Sequence, residues 1–233
     1  MKRIFKWLFR LALAALALAV VAAVVLLLSY NAILRVAMER AIRAQTGMDA
    51  KIGRFHLALL SPTMEIQNFK IRNPPDFGGT PFLDIPEIHV EYDRAALRAR
   101  HEIHITLLRF NLGELDIVKN QAGLTNIFLA GLKLPATNSA AGSETNTAAD
   151  FKRQTGFDFT GIDVLNVSLG TLKFIDLKDQ HRNREQNVGI ENCVMKNVKS
   201  PTDLGGLALL VAVRGGDFFG SLFDAPLPGL LGK

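Results

Sequence analysis

The chain has 233 residues, is 48% hydrophobic and 21% charged, and carries a formal net charge of +5. Setting aside a long apolar N-terminal run leaves about 200 residues, one domain or two small ones. A single cysteine, Cys193, excludes an internal disulfide; much of the basic excess brackets the apolar run and the rest of the chain shows no basic run interleaved with aromatics, which argues against nucleic acid as a partner.

Lys2, Arg3, Lys6 and Arg10 lead into Leu11–Leu28, LALAALALAVVAAVVLLL, which contains no charged or polar side chain. About 18 residues rising 1.5 Å each make a helix of about 27 Å, close to a bilayer's hydrocarbon thickness. The run exceeds a signal h-region and no compact A-x-A site closes it, so an uncleaved transmembrane anchor is expected over 1–29. The charge bias places the N-terminus in the cytoplasm and the domain outside. Lys2, Arg3, Lys6, Trp7, Arg10, Arg35, Arg40 and Arg43 are the expected membrane-interface residues.

Residues 30–46 continue as an amphipathic helix. Ile33, Leu34, Ala37, Ala41 and Ile42 share one face, Arg35, Glu39, Arg40 and Arg43 lie around the other, and Gly47 is a C-terminal stop. The apolar face suits either a headgroup layer or the chain's own sheet.

From Ala50 the period becomes two. Strands are expected over 51–60, 63–72, 82–93, 102–118, 157–177 and 187–198, with a loop at 73–79. The alternation slips phase within strands: Met64 and Ile66 give way to Phe69 and Ile71, and Leu108, Phe110 and Leu112 to Leu115 and Ile117. A slip turns the apolar set to the other face unless a bulge absorbs it. The expected fold class is therefore α+β: one transmembrane helix, then a twisted, mostly antiparallel, groove-like sheet with short helices. Residues 124–132 form a helix candidate within a 30–134 region. Residues 135–150 are a flexible linker or loop, 151–200 further strands of the same sheet, and 201–233 an apolar, Gly/Pro-rich tail.

One succession of residues resembles a known family. A helix ending at Gly47 precedes Ile52-Gly53-Arg54-Phe55 and the Ser61-Pro62 turn. Ile66-Gln67-Asn68-Phe69-Lys70-Ile71-Arg72-Asn73-Pro74 leads into Phe82-Leu83-Asp84-Ile85-Pro86-Glu87-Ile88, then Ile103-His104-Ile105 and Gly123-Leu124-Thr125-Asn126. This resembles the N-terminal region of the AsmA-like bacterial envelope proteins. The resemblance implies an inner-membrane anchor and a periplasmic, groove-shaped β domain related to chorein-like lipid-transfer proteins.

Catalytic chemistry is sparse. His101-Glu102-Ile103-His104 lacks the helical four-residue spacing of zinc proteases, and in a strand its histidines point to opposite faces. Glu102 and His104 share a face from which His89 or Glu91 comes within reach. No nucleophile elbow, Walker or dinucleotide glycine pattern occurs. Neither a metal nor a cofactor is expected, and the chain is read as a non-enzyme. Two roles stand: a protein of the inner membrane that handles or helps transfer phospholipid for envelope homeostasis, or a non-enzymatic scaffold docking other envelope proteins. For the first, the groove candidates are Ile66, Phe69, Ile71, Ile88, Val90, Ile103, Ile105, Phe110, Leu112, Leu172 and Phe174, with membrane lipids as partners.

Overall fold

The computed structural model describes residues 2–58, 60–128, 152–153 and 155–215. Helix α1 (Lys2–Thr46) leads into strands β1 (Asp49–Leu57), β2 (Thr63–Arg72) and β3 (Pro81–Tyr92). A short helix, α2 (Arg94–Arg100), precedes β4 (Glu102–Lys119). Strands β5 (Asp158–Asp176) and β6 (Arg184–Val198) follow, and α3 (Gly205–Gly215) is the last described helix. The strands form one open sheet in sequential order, antiparallel throughout except for the parallel pair β4–β5.

Local chemistry accounts for the punctuation. Gly47 ends α1 at φ 69°, which a side chain would strain. In the 73–79 loop, Pro75–Phe77 make a 3-10 turn closed by Gly78 at φ 78°. Asp93 caps α2 by accepting from Ala95 N (2.7 Å) and Ala96 N (3.0 Å).

The phase slips fall on a seam that crosses the sheet. Gly53 lies opposite Asn68, between the Ile52–Phe69 and Arg54–Gln67 pairs, and Asn68 sits at φ 53°. Asn68 in turn falls opposite Pro86, between the Gln67–Glu87 and Phe69–Ile85 pairs. The row continues where Gly113 meets Pro86 and where Gly170 lies beside Gly113. At each crossing the alternation changes step, so Ile52 and then Phe55, or Leu165, Val167 and then Leu172 and Phe174, are buried together. Backbones come close there: a Cβ on Gly170 would stand 2.3 Å from Gly113 O, and one on Gly53 2.9 Å from Asn68 Cβ.

This reorientation keeps the apolar set on one face. Met48, Ala50, Ile71 and Phe82 pack with Ile42 of α1, and Ile52, Phe55 and Ile66 with Met38 of α1. At the other end Ile117, Ile127, Leu172, Phe174, Val188 and Ile190 pack with Leu207 and Val211 of α3. Leu115 touches both ends, so the core is one layer.

The structure corrects the membrane reading. Among the described residues, no helix is long and apolar enough to cross a membrane. Helix α1 runs unbroken through the expected boundary at residue 29, and its described part carries Arg35, Glu39, Arg40 and Arg43 as it packs along β1. The single-pass transmembrane anchor, the inner-membrane location with a periplasmic domain, and the lipid-handling role built on them are therefore not supported. What stands is a mixed α+β fold with an open, mostly antiparallel sheet. The side chains of 2–17, 22–24 and 26–28, which include Lys2, Arg3, Lys6, Trp7 and Arg10, lie outside the described residues, as do the linker at 135–150 and the tail from 216. Of the helix expected over 124–132, Asn126–Phe128 form a 3-10 turn and the part from residue 129 lies outside the description. Residues 205–215, read from sequence as an interrupted tail, form a helix that starts at the Gly205-Gly206 pair.

Candidate functional site

The two edges of the sheet are treated differently. At the β1 edge, α1 presents polar side chains at four-residue spacing. Asn31 Oδ1 accepts from Leu57 N (3.0 Å), Arg35 Nη1 donates to Gly53 O (3.3 Å), and Glu39 Oε1 accepts from Ile52 N (2.8 Å). Tyr30 donates to Leu57 O and Arg43 pairs with Asp49. Strand groups otherwise open to pairing are thus occupied.

At the other edge, β6 has β5 as its one strand neighbour among the described residues. Arg214 of α3 donates to Val188 O (3.4 Å) and to Gly189 O (2.5 Å), closing one stretch. Beyond it, Cys193–Lys196 pairs with β5 in unbroken register, flanked by Asn192 at φ 51° and Asn197 at φ 56°. Cys193 and Met195 turn inward against the core, while Val194 is 53% exposed. The two left-handed residues bound the regular stretch, so it offers pairing to a short strand only.

A polar depression adjoins this edge. It has a volume of about 510 Å³ and is lined by Asn111, Ser168, Thr171, Asn187, Glu191 and Asn192 around Gly113, Gly170 and Gly189. Ser168 Oγ accepts from Asn192 N (3.0 Å), which holds the wall in place. The seam creates this hollow, because close backbone packing at Gly113 and Gly170 leaves no side chain to fill it.

Behind the edge lies a buried polar layer. Asn126 is fully buried: its Oδ1 accepts from Val118 N (3.0 Å) while its Nδ2 donates to Asp116 O (2.8 Å) and Asn73 Oδ1 (2.9 Å). Asp116 is 3% exposed, and its Oδ1 has no hydrogen-bond partner among the described residues. Burial, with Glu114 beside it, pushes its carboxyl up to about 7. Asp176 is buried too and ends below the ordinary value. Burial raises it, but the amides of Lys178 and Asp179 and the Lys119 ammonium at 3.6 Å more than offset that.

The expected groove residues divide by depth. Ile66, Ile71, Leu112, Leu172 and Phe174 are buried, whereas Phe69, Ile88, Val90, Ile103, Ile105 and Phe110 are half-buried. Of the expected interface arginines with described side chains, Arg35 and Arg43 engage β1 and Arg40 is exposed. The histidines do not converge. His104 meets Asp163 (3.1 Å) and Thr160 (3.2 Å) of β5 instead of His89 or Glu91, because β3 pairs His89 with Arg109. His89 and Glu91 bond each other (3.2 Å), and His101 ends α2 at φ 55°. Among the described residues no group of three or more His, Cys, Asp and Glu is placed to hold a metal ion. Sequence reasoning missed Asn126, Arg214 and the open β6 edge. The polar stripe on α1 had a visible signal, since Asn31, Arg35, Glu39 and Arg43 recur every fourth residue.

No family model, curated protein or solved structure matches the chain, so the AsmA-like resemblance gains no support from similarity.

Proposed function

We propose that this protein is a non-enzymatic scaffold that docks a partner through the outer edge of β6. The observation that carries this reading is the contrast between the edges: α1 side chains occupy that of β1, while among the described residues Cys193–Lys196 on β6 has no strand beyond it. Main-chain hydrogen bonds to an added strand would supply affinity, and the exposed Val194 with the adjoining polar depression would select side chains. Alternating contacts of this kind need no catalytic group, in keeping with a sequence that carries no recognised catalytic pattern.

The test places a photo-crosslinking residue at Val194 and, as a control, at Leu60, an exposed position on the β1–β2 turn. A discrete adduct is expected from position 194 alone, and the further substitution Lys196→Pro should abolish it with the circular dichroism spectrum unchanged. No adduct at 194, or the same adduct from both positions, would sink the docking reading.

A further inference from the structure

The opposite end of the sheet carries a second hollow, and its chemistry is cationic. It has a volume of about 330 Å³ and is flanked by α1, β1 and β2, with Arg35, Lys51, Lys70 and Arg72 and the single carboxylate of Asp49 around Gly53 and Asn68. We propose that this hollow binds a small phosphate-bearing anion. The volume lies at the lower end of small-molecule pockets, which suits a phosphate group with a small substituent.

The charges around it are not spent on each other. Lys51 and Lys70 are direct cross-strand partners, an arrangement that sets like charges side by side and destabilises an antiparallel pair. Lys70 is paired with Asp84 at 2.8 Å. Arg72 lies opposite Asp49, but Asp49 is taken by Arg43. Among the described residues the side chains of Lys51 and Arg72 have neither an ion pair nor a hydrogen bond.

Arg35 supplies the sharper observation. Its Nη1 donates to Gly53 O at 3.3 Å, which holds the guanidinium against β1, yet its Nε is buried without a hydrogen-bond partner among the described residues. A buried charged donor left unpaired is costly, and an anion seated beside the Arg35 guanidinium would offset part of that cost through its charge. The floor is kept open by backbone geometry. Gly53 has no side chain, and one there would run into Asn68. A planar guanidinium fork together with two mobile cations matches the several acceptor oxygens of a phosphate better than the two of a carboxylate. A merely solvated basic face would disperse these charges and would bury no unpaired donor.

The site lies at the β1 end of the sheet, so it stands or falls independently of docking at β6. Isothermal titration of the full chain with pyrophosphate at about 0.15 M salt tests it, where diffuse surface attraction is largely screened. One saturable site is expected. Lys51→Gln and Arg72→Gln, both at exposed positions, should together weaken binding by about tenfold or more, while Arg109→Gln on β4 should leave it unchanged. Absence of saturable binding, equal weakening by Arg109→Gln, or citrate binding as tightly as pyrophosphate would each overturn the proposal.

Discussion

Asp116 and Asp176 show how neighbours decide the fate of a buried carboxylate. Each sits on a core strand and is nearly inaccessible, but Asp176 receives two amide donors and an ammonium whereas Asp116 Oδ1 receives nothing. An unfolded aspartate titrates near 3.8, and folded Asp116 at about 7. Below both values the group is protonated in either state and costs nothing. Between them the folded chain holds a proton that the unfolded chain has released, so stability falls as pH rises, and the loss is complete above about 7. Asp116→Asn removes the charge and keeps the shape. It should raise stability by about 2 kcal/mol at about pH 8 and make almost no difference near pH 4. Urea unfolding of both proteins across that range checks this, and a variant less stable than the parent at the alkaline end would mean that the carboxylate has a favourable role.

At the level of elements, the seam lets long strands keep one apolar face. A strand as long as β5 (19 residues) accumulates twist and would carry its far end out of step with the helices that cover it. Small residues, αL asparagine and Pro86 placed side by side let neighbouring strands change step together. Gly170 is the most constrained position of the row. A methyl group there would stand 2.3 Å from Gly113 O, which is backbone and cannot swing aside. Gly170→Ala should therefore cost about 3 kcal/mol in a urea midpoint measurement. Gly206→Ala, in a helix with open space around its Cβ position, should instead stabilise by about 0.5–1 kcal/mol. Equal, small effects at both positions would show that the seam does not constrain β5.

For the molecule as a whole, one shared core predicts one unfolding event. Leu115 packs against the buried sets at both ends of the sheet and so links them. Hydrogen exchange of β1–β2 and β5–β6 amides should lose protection at the same denaturant concentration, and clearly separated midpoints would divide the sheet into independent units. The sequence by itself determined the strands, since alternation and turn chemistry act between residues close along the chain. It also located the steps at Phe69 and Leu115 without explaining them. Only tertiary structure decided that those steps line up across neighbours, that β4 and β5 run parallel, and that Asn126 reaches back to Asn73. The same holds for helix α1. Its apolar run, considered alone, read as a membrane span, while its fourfold polar spacing takes on meaning only once β1 lies beside it to receive Asn31, Arg35 and Glu39. Periodicity records which face of an element is apolar. What meets that face, and which edge of the sheet stays open, depends on contacts between residues far apart in the chain, which no local pattern encodes.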